Sequence, residues 1–526
     1  MTAATLAFAD ARGCKEWLNT LPLTHLAQAQ PLALEQLHAL NAADMPGMER
    51  LKCLELMREK VAFMVGEQRA KRVGATLPIN ANEREAWGNS AKLLEALEAG
   101  YRRCAEQAEG DAGLAQHGAL VAQRVVRCVG AQMLWQALAR RRVAPELWSR
   151  LHDQYAAAER SGVATAPVKD SLDAETGTSS VAEAYAQAVL MQAGAIGRMS
   201  AEQIDFSEAL VRLWGRKLTV ASAPPAEAGA RHLIVDLSQG AGPRHAGAEA
   251  AGPNSRFIDT TGVSLSMRKR IHALHKGEDI ATLGLPAQAG GVDPAGEMQR
   301  LHRWWCETGP SKPASHPSKV ARASLVFGIA DIHFFASGGK AFEQPGKSRE
   351  LTAQEKQDIE VFGRITERTQ SRMLGGTEKR VTAETWPVVD ESAGLVRVER
   401  PANAGKPVGV GRVVGIRMGD AGDFYVGAIT EIAQEDDGKV MATVAIFPGK
   451  PQPIAVRATR TRAADQWHPA LRLPALEALK IEGSLVVPAT LGTRGRALEV
   501  WDTDAQPAVV RTLLERGHDF DRCVAN

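Results

Sequence analysis

Residues 408–418 (VGVGRVVGIRM), 423–432 (DFYVGAITEI), 439–447 (KVMATVAIF) and 453–459 (PIAVRAT) are four β-type runs in succession. The segments between them, GDAG at 419–422, QEDDG at 434–438 and PGKPQ at 448–452, carry the Gly, Asp and Pro that set turn geometry. Phe424, Val426, Ala428 and Ile432 share one phase of the second run, as Val440, Ala442, Val444 and Ile446 do of the third. Period-two alternation predicts an antiparallel sheet with one face on a core. SLVVPAT (484–490), ALEVWD (497–502) and PAVVRTLL (507–514) continue the pattern, so the sheet is expected to curl into a barrel that removes its own edges.

The amino-terminal 215 residues have a different texture. Apolar residues recur at three-and-four spacing in PLALEQLHALNAA (31–43), MERLKCLELMREKVAFMVGEQRAKRV (48–73), EAWGNSAKLLEALEAGYRRCAEQAE (85–109) and LAQHGALVAQRVVRCVGAQMLWQALARRR (114–142). Breakers separate them closely, which predicts a helical bundle or a stack of helical hairpins. WGNSAKLLEALEAGY is reminiscent of a tetratricopeptide signature, but no regular recurrence supports a repeat array.

Between these halves, LTVASA (218–223), RHLIVDLS (231–238) and RFIDTT (256–261) are short β-rich runs around a Gly/Ala/Pro loop at 240–255. SLSMRKRIHALHKG, AGEMQRLHRWWCE and KVARASLVFGIADIHFF are read as a further helical tract. LTAQEKQDIEVFGRITERTQSRML (351–374) is read as one long helix opened by a Thr352–Glu355 capping box, with Glu360 and Arg364 at ion-pair spacing. The expected fold class is therefore α+β. A helical interaction domain occupies 1–200, a degenerate β/α domain 201–345, and a helix with an antiparallel β-barrel 346–526.

Length and charge agree with this division. A chain of 526 residues predicts about three domains. Lys and Arg number 63 against 61 Asp and Glu, and the resulting +2 argues against a coat for nucleic-acid polymers or a polybasic membrane binder. Six scattered cysteines without a C-x-x-C pair predict reduced thiols. No signal-peptide pattern or membrane-length apolar run is present, and a cytoplasmic location is expected.

Enzyme motifs are poorly served. VGVGRVVG places its third glycine at 415 within a strand pattern, wrong for a dinucleotide fingerprint. GxxxxGK[ST], HExxH and GxSxG do not occur. His302 and Cys306, four apart, suit a packed helix face better than half a metal site, and His333 between Ile332 and Phe334 reads as a core histidine. Trp304 and Trp305 are expected to be buried, and the basic run Arg268, Lys269, Arg270, His272, His275 and Lys276 to be a solvated face. No catalytic residue, metal ligand or cofactor is expected.

One arrangement occurs twice. Arg212 and Arg216 precede VDLSQGA, in which Asp236, Ser238 and Gly240 have the order D-x-S-x-G. Arg368 and Arg372 precede VDESAGL, with Asp390, Ser392 and Gly394 in the same order. The interval from second arginine to aspartate is 236 − 216 = 20 in one copy and 390 − 372 = 18 in the other.

An R-x-x-x-R pair followed by [DN]-x-S-x-x-G at a strand end resembles the PilZ family of bacterial cyclic di-GMP receptors. The resemblance covers about 364–460, and 212–265 more loosely. It implies a β-barrel that binds cyclic di-GMP, with Arg368 and Arg372 gripping guanines and phosphates and Asp390, Ser392 and Gly394 cupping a guanine. Arg364, Arg212, Arg216, Asp236 and Ser238 are the weaker candidates. The residue types suit the task, because a guanidinium fork matches phosphate oxygens and the O6/N7 edge of guanine while a carboxylate accepts from guanine's ring and exocyclic donors. The chain departs from the family by placing Leu395 and Ala241 where glycine is usual, with glycine one position early. Arg364, Arg368 and Arg372 also satisfy a plainer pattern, the polar face of a helix. The expected function is a non-catalytic signalling receptor acting on a protein partner through its helical domain. The alternative is a ligand-independent scaffold with degenerate barrels.

Overall fold

The computed structural model describes residues 5–71, 76–173, 177–227, 229, 231–245, 252–309, 315–346, 353–364, 366, 381–401, 404–420, 422–435, 437–459 and 466–526. The chain divides into two compact units, 1–312 with 432–440, and 313–431 with 441–526. The fold is α+β, with helices gathered toward the amino terminus and closed antiparallel barrels in the carboxy-terminal half.

In the first unit the helices start where short polar side chains can take orphan backbone N–H groups. Asn80 and Glu83 form a reciprocal capping box on Ala81–Gln107, and Ser200 with Gln203 another on Ala201–Trp214. Pro145 sits in the first turn of Pro145–Arg160, where its missing N–H costs nothing. The helices Gly47–Ala70, Ala81–Gln107, Gly118–Leu138 and Val181–Ala193 bury Leu54, Leu97, Val126 and Val189 in one core. That core also holds charge. Arg124 donates from Nε and Nη2 to Glu55 at 2.9 and 2.8 Å, Tyr101 donates to Glu55 at 2.5 Å, and Arg58 pairs with Asp170. Burial alone would push the Asp170 carboxyl up. Arg58, the Gln123 amide at 2.9 Å, Arg124 and Arg127 outweigh it and hold the group at about 2.

The β-rich runs after residue 218 form a four-stranded antiparallel sheet in the order Thr219–Ala221, Ser255–Asp259, His232–Asp236, Arg244–His245. It is open, not a barrel. The helix Pro294–Cys306 packs on Thr261–His275 and buries Trp305 completely.

In the carboxy-terminal half of the chain the strand-like runs divide between two barrels where the sequence suggested one. The first runs in the order Leu395–Arg400, Val440–Ile446, Tyr425–Gln434, Val413–Met418, Arg322–Phe327 and Glu384–Ser392, and pairing of the last with Leu395–Arg400 returns the sheet on itself. The second is the closed ring Gln452–Ala458, His468–Leu473, Ser484–Pro488, Phe520–Ala525, Ala505–Arg516 and Ala497–Trp501. The expected alternation is present in 440–446, where Val440, Ala442 and Val444 are buried and Met441 and Thr443 half-buried, though Ile446 is itself only half-buried; it is absent from 425–434, where Gly427 and Ile429 are buried beside Val426 and Ala428.

Two helix readings are corrected. RASLVF at 322–327 is a strand, paired on one side with 413–418 and on the other with 384–392. Gly328 at φ +89° then breaks it, and the helix Ile329–Ala336 follows. The helix expected over 351–374 is described as Ala353–Phe362, and it ends because Gly363 adopts φ +67° with its N–H on the Ile359 carbonyl. Thr352 of the expected capping box lies outside the described residues.

Candidate ligand site on the barrel hairpin

The second D-x-S-x-G segment forms a hairpin of the first barrel. Ser392 faces Leu395, Glu391 faces Val396 and Asp390 faces Arg397, so Ala393 and Gly394 are a two-residue turn. Such a turn needs positive φ, and Gly394 supplies it at +78°. An added Cβ there would meet nothing within 4 Å, so glycine is required by the backbone and not by crowding. This accounts for the displaced glycine: it sits at the turn apex, and Leu395 opens the next strand. Asp390 and Ser392, two apart, lie on one face of the strand. The Asp390 carboxylate accepts from Arg397 Nη2, while Arg397 Nε is buried with no hydrogen-bond partner among the described residues. His316 and Pro317 pair alongside Glu391 and Asp390. At the far end of the partner strand Leu395–Arg400, Arg400 is locked over the Trp386 ring at 4.5 Å and bonded to Glu384 at 2.6 Å.

Arg368 and Arg372 lie outside the described residues. Arg364 is described and exposed, just beyond the glycine that ends the helix, so it does not belong to that helix's polar face.

The first copy is organised differently. Asp236 ends its strand and closes its own turn, accepting from Ser238 N at 3.0 Å, Ser238 Oγ at 2.6 Å and Gln239 Nε2 at 3.0 Å. These bonds, the Ser238 hydroxyl first, draw its pKa down. A Cβ on Gly240 would stand 2.7 Å from the Pro145 carbonyl oxygen, and one on Gly242 would stand 2.9 Å from the Trp148 ring. Both glycines let the loop lie against the helix Pro145–Arg160. His152 on that helix donates from Nε2 to the Ala241 carbonyl at 3.0 Å and accepts from Tyr185 at Nδ1, and burial holds its pKa down in this neutral form. Arg212 pairs with Glu208 at 2.6 Å and Arg216 bonds Thr178 at 2.9 Å. Every group of this copy already has local work.

Residues 12–225 match the family model described as the N-terminal domain of the cyclic-di-GMP receptor FimW. The cyclic-di-GMP receptor FimW of Pseudomonas aeruginosa is 21% identical over 540 aligned residues, which cover 95% of this chain and 88% of that protein. The chain resembles a family of cyclic di-GMP receptors with a distinctive amino-terminal domain. A solved structure titled MrkH, a c-di-GMP dependence transcription regulatory factor, overlaps 35% of this chain and 90% of its own at 7% identity and a TM-score of 0.12, too low to carry any argument.

Beside this similarity, the remaining sequence candidates take structural places. His302 Nε2 meets Ser264 Oγ at 2.7 Å, and the buried Cys306 thiol reaches the Thr260 carbonyl. All six cysteines are free and buried, and among the described residues no cluster with metal-binding composition occurs. Trp304 and Trp305 are buried, and so is His333. Arg270 bonds the Leu283 carbonyl and lies over Trp214, while Arg268, Lys269, His272, His275 and Lys276 are exposed. Among the described residues no helix is long and apolar enough to cross a membrane. Arg397 was missed by motif reasoning. A two-residue turn at 393–394 makes 390 and 397 partners, so the hairpin register was the signal that could have found it.

Proposed function

We propose that this protein is a non-catalytic, cytoplasmic receptor for cyclic di-GMP that uses a PilZ-like barrel and passes the signal to a protein partner through its helical domain. The observation that carries the reading is the near full-length similarity to a cyclic-di-GMP receptor in a chain whose second D-x-S-x-G motif falls on a barrel hairpin. Arg368 and Arg372 bring two guanidinium forks to phosphate and to guanine O6/N7. Asp390 accepts from guanine N–H donors once Arg397 turns from the carboxylate to the ligand, and Ser392 on the same face bridges to sugar or phosphate. Bridging the arginine segment to the hairpin biases the protein toward one conformation, and that bias is the signal. The open sheet of the first copy is not assigned a nucleotide.

Calorimetry tests the reading. Saturable heat with cyclic di-GMP, abolished in Arg368→Ala, Arg372→Ala and Asp390→Ala, is the expected result. No heat from the folded wild-type protein overturns it. One observation favours the second reading, a ligand-independent scaffold: Asp390 already has a cationic partner in Arg397. Under that reading Arg368→Ala and Arg372→Ala change partner capture without any nucleotide dependence.

A further inference from the structure

We propose that Cys14 and Cys53 of the amino-terminal helical unit are an oxidation site, a dithiol that hydroperoxides convert to a disulfide joining the helix Ala11–Leu18 to the helix Gly47–Ala70. Packing of the first helix on the second assembles the pair. Both thiols are free and fully buried. The Cys14 S–H reaches the Cys53 backbone carbonyl at 3.9 Å and also hydrogen-bonds the Cys53 sulfur. The two cysteines stand 39 positions apart, so no local motif announces them.

Charge sorts the two sulfurs into roles. Arg50 precedes Cys53 by three residues and so shares its face of the helix. It is fully buried, and among the described residues its hydrogen bonds all go to neutral groups: the Leu40 and Ala43 carbonyls and the Gln107 amide oxygen. A buried guanidinium held in this way favours an anion beside it. The Cys53 thiol is drawn below its ordinary range, first by the hydrogen bond from Cys14 and last by Arg50, against burial and the carboxylates of Glu49 and Asp10. The same hydrogen bond and burial push Cys14 up. Cys53 is therefore the nucleophile and Cys14 the thiol that resolves it. Burial pushes the other four thiols up as well, Cys104 to about 11 and Cys128, Cys306 and Cys523 to about 12.

The chemistry balances with hydrogen peroxide as the oxidant. The Cys53 thiolate attacks one peroxide oxygen, the O–O bond breaks, and the released hydroxide takes up the proton that Cys53 had given up. Cys53 is now a sulfenic acid. The Cys14 sulfur attacks the Cys53 sulfur, the S–S bond forms, and the S–O bond breaks as hydroxide leaves with the Cys14 proton as water. Two thiols lose two electrons in all, and one peroxide becomes two waters. Access needs only local opening of the covering helix, which has eight residues and presents Arg12, Lys15 and Glu16 to solvent. The disulfide then holds that helix shut.

The experiment adds hydrogen peroxide to the reduced full-length protein and reads intact mass and a peptide map made without reduction. The expected product is lighter by two hydrogen atoms, carries a cross-link between the Cys14 and Cys53 peptides, and forms about tenfold or more faster than any oxidation of the other four thiols. Dithiothreitol restores the starting mass. Cys14→Ser is expected to leave a sulfenic acid on Cys53 that dimedone traps, and Cys53→Ser to leave Cys14 unmodified. Absence of the Cys14–Cys53 cross-link from the peroxide-treated wild type, or earlier oxidation of another cysteine, overturns the proposal, as does dimedone capture on Cys14 in Cys53→Ser. The wild-type map decides even if a variant fails to fold.

Discussion

Asp236 and Asp390 stand in the same five-residue pattern, and the chain uses them for different ends. Asp236 terminates a strand of an open sheet and spends both carboxylate oxygens on its own turn, with Gly240 pressed against a helix carbonyl. Asp390 lies within a barrel hairpin, its carboxylate bonded among the described residues to Arg397 across the strand pair, with Gly394 setting the turn beside it. A short motif therefore specifies a function only through the topology that receives it: in one copy glycine allows close packing, in the other it allows a turn.

The largest difference is expected in ligand affinity. Asp390→Ala removes the carboxylate proposed to accept from guanine and is expected to cost about 2 kcal/mol or more of cyclic di-GMP binding, while Asp236→Ala leaves affinity unchanged, both read by calorimetry. Equal effects from the two copies would break the comparison. Next comes packing. Gly240→Val drives side-chain atoms into the Pro145 carbonyl and is expected to cost about 2 kcal/mol in thermal or denaturant unfolding. Gly394→Ala meets open space and pays only for its positive φ, about 1 kcal/mol.

A smaller effect follows from charge. Because hydrogen bonds from Ser238 and Gln239 lower the Asp236 pKa below its ordinary 3.8, they contribute stability that is complete above that value and fades as pH falls through the lowered one. Acid unfolding monitored in Asp236→Asn should lose that part of its pH dependence. The smallest stability change is expected from Arg397→Ala, within about 0.5 kcal/mol, since its side chain is 43% exposed. The same variant tests whether Arg397 competes with the ligand or assists it.

Local periodicity made much of this architecture legible. The amphipathic helices and the alternating run around Val444 announce the α+β class because each pattern is complete within a few residues. What escaped was decided by non-local pairing. RASLVF becomes a strand only because 413–418 and 384–392 flank it, and the second barrel closes through HPALRL at 468–473, whose short apolar pattern contains Pro469. The helix after 353 stops at a single glycine whose left-handed conformation the surrounding periodicity concealed. In the site, Asp390 and Ser392 were visible as a motif, whereas Arg397 emerges only from strand register.

The central claim is that the hairpin at Asp390 and the arginines before it hold cyclic di-GMP. Titration of the nucleotide into wild-type protein and into Arg368→Ala and Arg372→Ala tests it most directly. The account predicts saturable binding in the wild type and none in either variant, and it is contradicted by an absence of binding in the folded wild type or by undiminished binding in both variants.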